Sequence, residues 1–274
     1  MDRTAYANRA RAFLDRHAGP GAFVLPNVWS PGTAKVVAAA GFDVLATTSA
    51  GIAFSLGLPD DGSIGRERML AEIAAIAEAV DVPVSADVES GYGPEAEDVA
   101  RTVTGVIAVG AVGANVEDAV AGSLLEVSRA VERVEAARQA ADQSGLPFTL
   151  NARVDSYLVG HPDPFADAVT RAERYRAAGA DCVFIPGVSD ERTIGRLVAG
   201  IGAPLNVVAG LSGEPLDLAT YERLGVRRIS VGGSLARATL GLVRRAAADM
   251  LEHGRFDFGA GAIPHAEINR IFAI

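Results

Sequence analysis

Short apolar runs alternate with amphipathic stretches along this chain, and that alternation restricts the fold more than any other feature. Read as strands, the runs fall at 22–26, 42–48, 82–87, 113–118, 147–153, 181–185, 204–208 and 227–231. The segments between them read as helices, from Pro31 to Gly41 and then over 66–80, 94–109, 126–143, 164–178, 190–199 and 216–224. A near-repeat marks the passage from helix to strand: Ala-Ala-Gly-Phe-Asp at 39–43, Ala-Val-Gly-Ala-Asn at 111–115, Ala-Ala-Gly-Ala-Asp at 177–181 and Arg-Leu-Gly-Val-Arg at 223–227. Each glycine is expected to cap a helix C-terminus. Eight strand-then-helix units are the count of a (β/α)8 TIM barrel. A doubly wound sheet is the alternative, but that fold usually displays a nucleotide-binding loop. Here Gly91-Tyr92-Gly93-Pro94 lacks the third glycine, and no Gly-x-x-x-x-Gly-Lys-Ser/Thr occurs. The expected architecture is one modified α/β TIM-barrel domain over 1–274: an N-terminal helix in 1–20, the barrel in 22–233, and C-terminal helices and tail in 234–274.

Charge and residue usage narrow the chemistry. A net charge of −9 without a clustered basic stretch argues against nucleic acid as a partner. Residues 1–17 mix charges through an Ala-rich segment and lack the apolar core of a signal peptide. No uncharged apolar run approaches membrane-spanning length, so the expected location is the cytoplasm, with no membrane partner. Cys182 is the only cysteine and lies inside an apolar run, where a small buried residue is expected rather than a nucleophile. Lys35 is the only lysine and falls in a helix, so Schiff-base aldolase chemistry is not expected. His17, His161, His253 and His265 are scattered, which argues against a histidine-rich zinc site.

In a TIM barrel the site lies at the C-terminal ends of the strands, so what each strand ends in carries the functional signal. In Val84-Ser85-Ala86-Asp87-Val88-Glu89 alternate residues share a face, which puts Asp87 beside Glu89. Two close carboxylates repel unless a proton or cation separates them, and an all-oxygen cluster suits magnesium. The alternative is a pair of solvated strand-end acids. The first strand adds Asn27 and Trp29, and the second ends in Thr48-Ser49-Ala50-Gly51 before a loop carrying Asp60 and Asp61. The fourth ends in Glu117-Asp118, the fifth in Asn151-Ala152-Arg153-Val154-Asp155, and the eighth in Gly232-Gly233-Ser234, while the seventh carries Asn206. Singly, Arg153 reads as a salt-bridge partner, Asn206 as a turn residue and Asp60 or Asp61 as a solvated acid. On one rim they read as a site: Asp87, Glu89 and Glu117 for a metal held mainly through waters, and Arg153 for a bidentate grip on a substrate carboxylate. The backbone N–H groups of Ser49, Ala50 and Gly51 would hold a second carboxylate or an oxyanion.

Taken in order, the blocks at 25–30, 48–51, 56–60, 87–93, 115–118 and 151–155 resemble those of the isocitrate lyase and phosphoenolpyruvate mutase superfamily, and the resemblance runs from Phe23 to about Arg255. It implies a modified TIM barrel that holds magnesium and a 2-oxo acid and makes or breaks C–C or P–C bonds through a metal-stabilised enolate of pyruvate. Asp87 would be the direct metal ligand, with Glu89 and Glu117 acting through water. Arg153 and the Ser49–Gly51 backbone would hold the oxo acid. The lyases of that superfamily carry a Lys-x-Cys-Gly-His loop after the fourth strand, and the mutases a loop with lysine and asparagine. The corresponding segment here, Ala119-Val120-Ala121-Gly122-Ser123-Leu124-Leu125, is short and has no Cys, Lys, His or Asn.

What survives is the electrophilic half of the site, which suffices to decarboxylate oxaloacetate; cleavage of a substituted 2-hydroxy acid also needs a base, for which Asp60, Tyr92 or His161 is at hand. The expected activity is that of a Mg2+-dependent lyase, with Mn2+ as the other candidate ion, acting on a small 2-oxo or 2-hydroxy di-acid. Asp60 and Arg153 are the candidate catalytic residues; Trp29, Ser49, Ala50, Gly51, Arg153 and Asn206 are the candidate substrate contacts. The alternatives are a protein that binds pyruvate, oxaloacetate or 2-oxoglutarate with little catalysis, and a P–C or C–C bond hydrolase. By the same resemblance the last barrel helix would be exchanged between subunits of a homodimer or homotetramer.

Overall fold

The computed structural model describes residues 2–210 and 216–273; Met1 and Ile274, the ends of the expected domain, lie outside them. In chain order the first half comprises α1 (Arg3–Ala18), β1 (Phe23–Leu25), β2 (Asn27–Val28), α2 (Pro31–Ala39), β3 (Leu45–Thr47), α3 (Ser49–Ser55), α4 (Arg66–Glu78), β4 (Val84–Asp87), α5 (Ala96–Ala108) and β5 (Gly113–Glu117). There follow β6 (Ala119–Val120), β7 (Ser123–Leu124), α6 (Val127–Gln143), β8 (Thr149–Arg153), α7 (Pro164–Ala177), β9 (Cys182–Phe184), α8 (Glu191–Ile201) and β10 (Leu205–Val208). The chain then runs through α9 (Leu218–Leu224), β11 (Arg228–Ser230), α10 (Ser234–His253), a 3-10 turn (Asp257–Gly261) and α11 (His265–Phe272).

Nine parallel strands form one sheet in the order β1-β11-β10-β9-β8-β5-β4-β3-β2. Only Pro26 separates β1 from β2. It has no N–H to give a ladder, but its carbonyl accepts from Ala46 N at 2.9 Å, so one interrupted strand pairs with β11 before the proline and with β3 after it. The two ends of the sheet therefore meet, and the expected TIM barrel is what forms.

Partners across a parallel ladder point to the same face. The registers Arg228↔Asn206, Asn206↔Phe184, Arg153↔Phe184, Glu117↔Arg153 and Asp87↔Asn115↔Asn151 thus assign one set of side chains to one side of the sheet. That side is the barrel interior, because Arg228 on β11 reaches Asn115 on β5 across it. The barrel is lined by amides, hydroxyls and charges, while the Val, Ala, Leu and Ile residues between them pack outward under the helices. α1 closes the N-terminal end with Tyr6, Ala10, Phe13 and His17, a helical stripe; Tyr6 donates to Ala111 O at 2.9 Å. Among the described residues, no helix is long and apolar enough to cross a membrane.

Four details depart from the sequence reading. Gly41, Gly179 and Gly225 do follow helices in the left-handed region, but Gly113 lies inside β5, and the left-handed glycine that follows α5 is Gly110. A side chain at Gly113 would sit 2.6 Å from Thr149 O and 3.3 Å from Phe13, so this glycine makes room for the α1 plug. Ser49-Ala50-Gly51 opens α3 rather than ending a strand, with Thr48 Oγ1 accepting from Gly51 N. β4 stops at Asp87, and Glu89 takes φ +50°, so strand alternation does not place Glu89 beside Asp87. The 119–125 segment is a hairpin, β6 against β7, turned by Ala121 and Gly122 at positive φ, the two-residue geometry such a turn requires.

Candidate active site

Two connected cavities open at the C-terminal ends of the strands. The wider, about 920 Å3, lies between the 60–67 loop, the 89–93 turn and the β6–β7 hairpin. The deeper, about 390 Å3, descends into the barrel past Asp87, Asn115 and Ser230; Ser49, Asp60, Arg153 and Leu158 line both. Asp87 is held at the end of β4 by Ser49, whose N–H and hydroxyl both donate to its Oδ2 at 3.0 Å, while Thr47 Oγ1 accepts from its own N–H at 2.8 Å. Its Oδ1 has no partner among the described residues.

The acids crowd one another. Burial, then the charges of Asp87 and Asp60, push Glu89 up to about 7, against a 3.2 Å hydrogen bond from Tyr92 OH to Glu89 Oε1. Burial also raises Glu117 against the pull of the Arg153 guanidinium, and Asp155, Asp87 and Glu89 add to the rise. Asp60 stays solvent-accessible at the mouth, yet partial desolvation and Asp87 raise it too. A set of carboxylates whose ionisation is opposed by its neighbours is what a dication would relieve. Among the described residues no three acids come together as a direct ligand cluster. The donor set fits an ion that takes one carboxylate directly and reaches the others through water, the habit of magnesium.

Arg153 is already engaged within the protein: its Nη1 pairs with Glu117 at 2.7 Å and its Nε with Asp155 at 2.7 Å, which leaves one Nη1 N–H and both Nη2 N–H groups for a substrate. The backbone cradle expected at 49–51 is likewise spent, since Ser49 N–H goes to Asp87 and Gly51 N–H to Thr48; Ala50 N–H alone has no acceptor among the described residues. Trp29 lines neither cavity and instead packs beneath α3, where its Cβ lies 2.9 Å from the position a Gly51 side chain would take. Asn206 sits below the site, fully buried, donating to Val207 O at 2.7 Å and Ser230 Oγ at 3.0 Å. His161 faces away: its Nδ1 accepts from Asp163 N at 3.2 Å at the start of α7. Cys182 is buried, its thiol pushed up to about 12 by desolvation, as its place in an apolar run implies.

Sequence reasoning missed several residues that shape the site. Arg133 on α6 donates to four backbone carbonyls of the 89–95 turn: Pro94 O at 2.8 Å, Glu95 O at 3.1 Å, Gly93 O at 3.0 Å, and Ser90 O. Arg66 adds Tyr92 O at 2.8 Å, and Thr102 adds Gly91 O at 2.7 Å. These bonds hold Glu89 and Tyr92 in left-handed conformations that non-glycine residues resist. Asp118 anchors the other side, accepting from Tyr175 OH at 2.6 Å, Arg171 at 3.2 Å and Asp155 N at 2.9 Å. Arg237, in the first turn of α10, lines the deeper cavity and makes no ion pair among the described residues. A cation there opposes the helix dipole, and that mismatch in Ser234-Leu235-Ala236-Arg237 was the signal available in the sequence.

The model of the phosphoenolpyruvate phosphomutase family matches residues 13–251. A Burkholderia cenocepacia protein provisionally described as a lyase/mutase superposes with a TM-score of 0.94 at 46% identity, over 99% of this chain and 98% of that one. The 2,3-dimethylmalate lyase of Eubacterium barkeri is 34% identical over 212 residues, 74% of this chain and 72% of the relative. The oxaloacetate decarboxylase of Pseudomonas savastanoi pv. phaseolicola is 26% identical over 236 residues, 83% of this chain and 79% of the relative.

Proposed function

The chain belongs to the phosphoenolpyruvate phosphomutase family, and from that premise we propose that it is a magnesium-dependent lyase. Its substrate is a small 2-oxo or 2-hydroxy di-acid, and decarboxylation of an oxaloacetate-type acid is the reaction favoured. The observation that carries this reading is the placement of Asp87 and Arg237 in the deeper cavity and of Glu89 and Glu117 in the wider one beside it, with Arg153 lining both. Relatives that are lyases or decarboxylases of small acids support it. Asp87 would hold the ion through its unpartnered Oδ1, with Glu89 and Glu117 acting through water; manganese suits the same donors. The ion would supply Lewis-acid polarisation of the 2-oxo oxygen.

The chain's own groups do the rest. Arg237 and the remaining Arg153 N–H groups hold carboxylates, and Ala50 N–H adds a donor beside them. Glu117 and Asp155 fix the Arg153 plane. The β6–β7 hairpin and Leu158 wall the cavity and limit water. In decarboxylation the carboxylate β to the oxo group leaves as CO2, the electron pair of the broken bond stays on the remaining carbon, and a proton then goes to that carbon. Asp60, which lines both cavities, is the candidate to deliver it. The hairpin carries no Lys, Cys, His or Asn, which favours a reaction needing no strong base over cleavage of a 2-hydroxy acid.

The test is pyruvate and CO2 release from oxaloacetate, with and without Mg2+ and against the spontaneous rate, in wild type and Asp87→Ala. Asp87→Ala is expected to lose about 100-fold or more in kcat/KM together with Mg2+-dependent binding of the acid. Unchanged acid binding in Asp87→Ala would sink the assignment. Retained binding in a wild type that turns over no substrate would favour the binding-protein alternative, and free phosphate from a phosphonate the hydrolase.

A further inference from the structure

Arg228 is the largest side chain sealed inside the barrel, with no accessible surface, and no carboxylate pairs with it among the described residues. Its Nη2 donates to Asn115 Oδ1 at 3.0 Å; Nε and Nη1 meet no acceptor, and the ring of Phe13 lies 5.9 Å away. Burial lowers it to about 10, which leaves it charged at neutral pH. A guanidinium can only donate. Asn115 must therefore turn its oxygen toward Arg228, and that choice propagates. Asn151 Nδ2 donates to the same Asn115 oxygen at 2.7 Å and to Asn206 Oδ1 at 3.0 Å, and Asn206 Nδ2 passes on to Ser230 Oγ. The cost is visible in Asn151 Oδ1, buried without a partner.

With its oxygen turned down and doubly occupied, Asn115 has its Nδ2 for the other side. That atom meets no acceptor among the described residues and, unlike Asn151 Oδ1, is not among the sealed polar atoms. Asn115 is a wall residue of the deeper cavity and the ladder partner of Asp87. We propose that Asn115 is a substrate-binding residue that presents its amide N–H pair to an oxygen of the bound acid. Arg228 is the positioning residue that holds the amide in that orientation. An amide turned the other way would set its oxygen against an anionic ligand and repel it. The inference rests on the 2-oxo acid reading of the cavity and adds to it a donor on the cavity wall, at the position in register with Asp87.

Oxalate, a planar dianion resembling an enolised 2-oxo acid, and pyruvate serve as probes in calorimetric titration of the Mg2+-loaded wild type, Asn115→Asp, Arg228→Met and Arg228→Lys. Asn115→Asp is expected to weaken oxalate about tenfold or more, with Mg2+ affinity measured without acid unchanged within about threefold. Arg228→Met is expected to weaken oxalate in the same direction and Arg228→Lys, still a donor, to restore most of it. Oxalate binding as tight in Asn115→Asp as in wild type overturns the proposal while leaving the lyase reading intact. So does an Arg228→Met variant that loses thermal stability but not oxalate affinity. If Arg228→Met does not fold, the comparison of wild type, Arg228→Lys and Asn115→Asp still decides the role of Asn115. A wild type that binds neither acid overturns both the lyase reading and the part of Asn115 in it. The positioning claim is then read from the Asn115 side-chain 15N resonance, identified by its absence in Asn115→Asp. A shift in Arg228→Met reversed in Arg228→Lys supports it, and an unchanged resonance overturns it.

Discussion

Burial and the charges of Arg228 and Arg227 oppose protonation of His17, and the hydrogen bond to Phe13 O only partly offsets them. The ring is buried in the α1 plug between Phe13 and Phe23, its Nδ1 donates to Phe13 O at 3.0 Å, and its Nε2 has no partner. Burial and the nearby Arg228 charge pull it down to about 3. The unfolded chain takes up this proton near pH 6.5 and the folded one only near 3, so between those values the unfolded state binds more protons. Stability therefore falls as pH drops through that window and is unaffected by His17 above it. By pH 4.5 the loss is about 2–3 kcal/mol. Urea midpoints at pH 7 and pH 4.5 should fall further apart for wild type than for His17→Leu, in which the carboxylates titrate alike; equal drops in the two proteins would refute the account. The same residue scale shows what was legible in the chain. Asp87, Glu117 and Arg153 were readable because strand ends in a barrel point at the mouth. Asn206 was misassigned because position along a strand does not reveal depth in the barrel. Asn115 and Arg228 went unread because their meaning is a hydrogen bond between side chains 113 positions apart.

Among elements, the turn from Glu89 to Glu95 is where local preference and function conflict. Two non-glycine residues there hold positive φ, Glu89 at 50° and Tyr92 at 56°, and the turn keeps its shape because Arg133, Arg66 and Thr102 satisfy its carbonyls from outside. Arg133→Met removes the donors to four of those carbonyls. A destabilisation of about 3 kcal/mol is expected, larger than the packing loss alone would give. Hydrogen exchange should rise over 88–95 beyond the global change, with Arg133→Lys intermediate; wild-type stability and protection in Arg133→Met would show that the clamp is dispensable. Helices and strands were legible because periodicity and glycine punctuation are local signals, and Gly41, Gly179 and Gly225 behave as that punctuation implies. The clamp was not, because Arg133 reads as one more charged position on an amphipathic helix until α6 is packed against the turn. α3 was hidden for a related reason: Thr48 caps it immediately after β3, leaving no loop between strand and helix.

For the molecule as a whole, the barrel accounts for its own core but not for α10. That helix runs 20 residues from Ser234 to His253, and only Ala236 is buried. Leu240, Leu242, Val243, Met250 and Leu251 are exposed, Leu251 at 87%, and Phe256 and Phe258 continue the apolar surface beyond it. α11 returns to its own barrel, where Lys35 Nζ donates to Phe272 O at 3.0 Å, so the tail covers α2 rather than α10. An apolar surface of this extent on a helix end that leaves the barrel fits the helix exchange proposed for a homodimer or homotetramer, each copy covering the face of the other. The consequence reaches the site, because the first turn of α10 carries Arg237 into the deeper cavity. A helix anchored only at its start holds that arginine less firmly than one clamped along its length by a second subunit. Sedimentation velocity at micromolar concentration should therefore report a dimer or larger. Val243→Glu with Leu251→Glu should shift it toward monomer, lower the thermal midpoint and raise KM for the acid, although neither residue lines a cavity. A wild type that sediments as a monomer, or a monomeric double variant with unchanged KM, would separate the α10 face from both assembly and substrate binding.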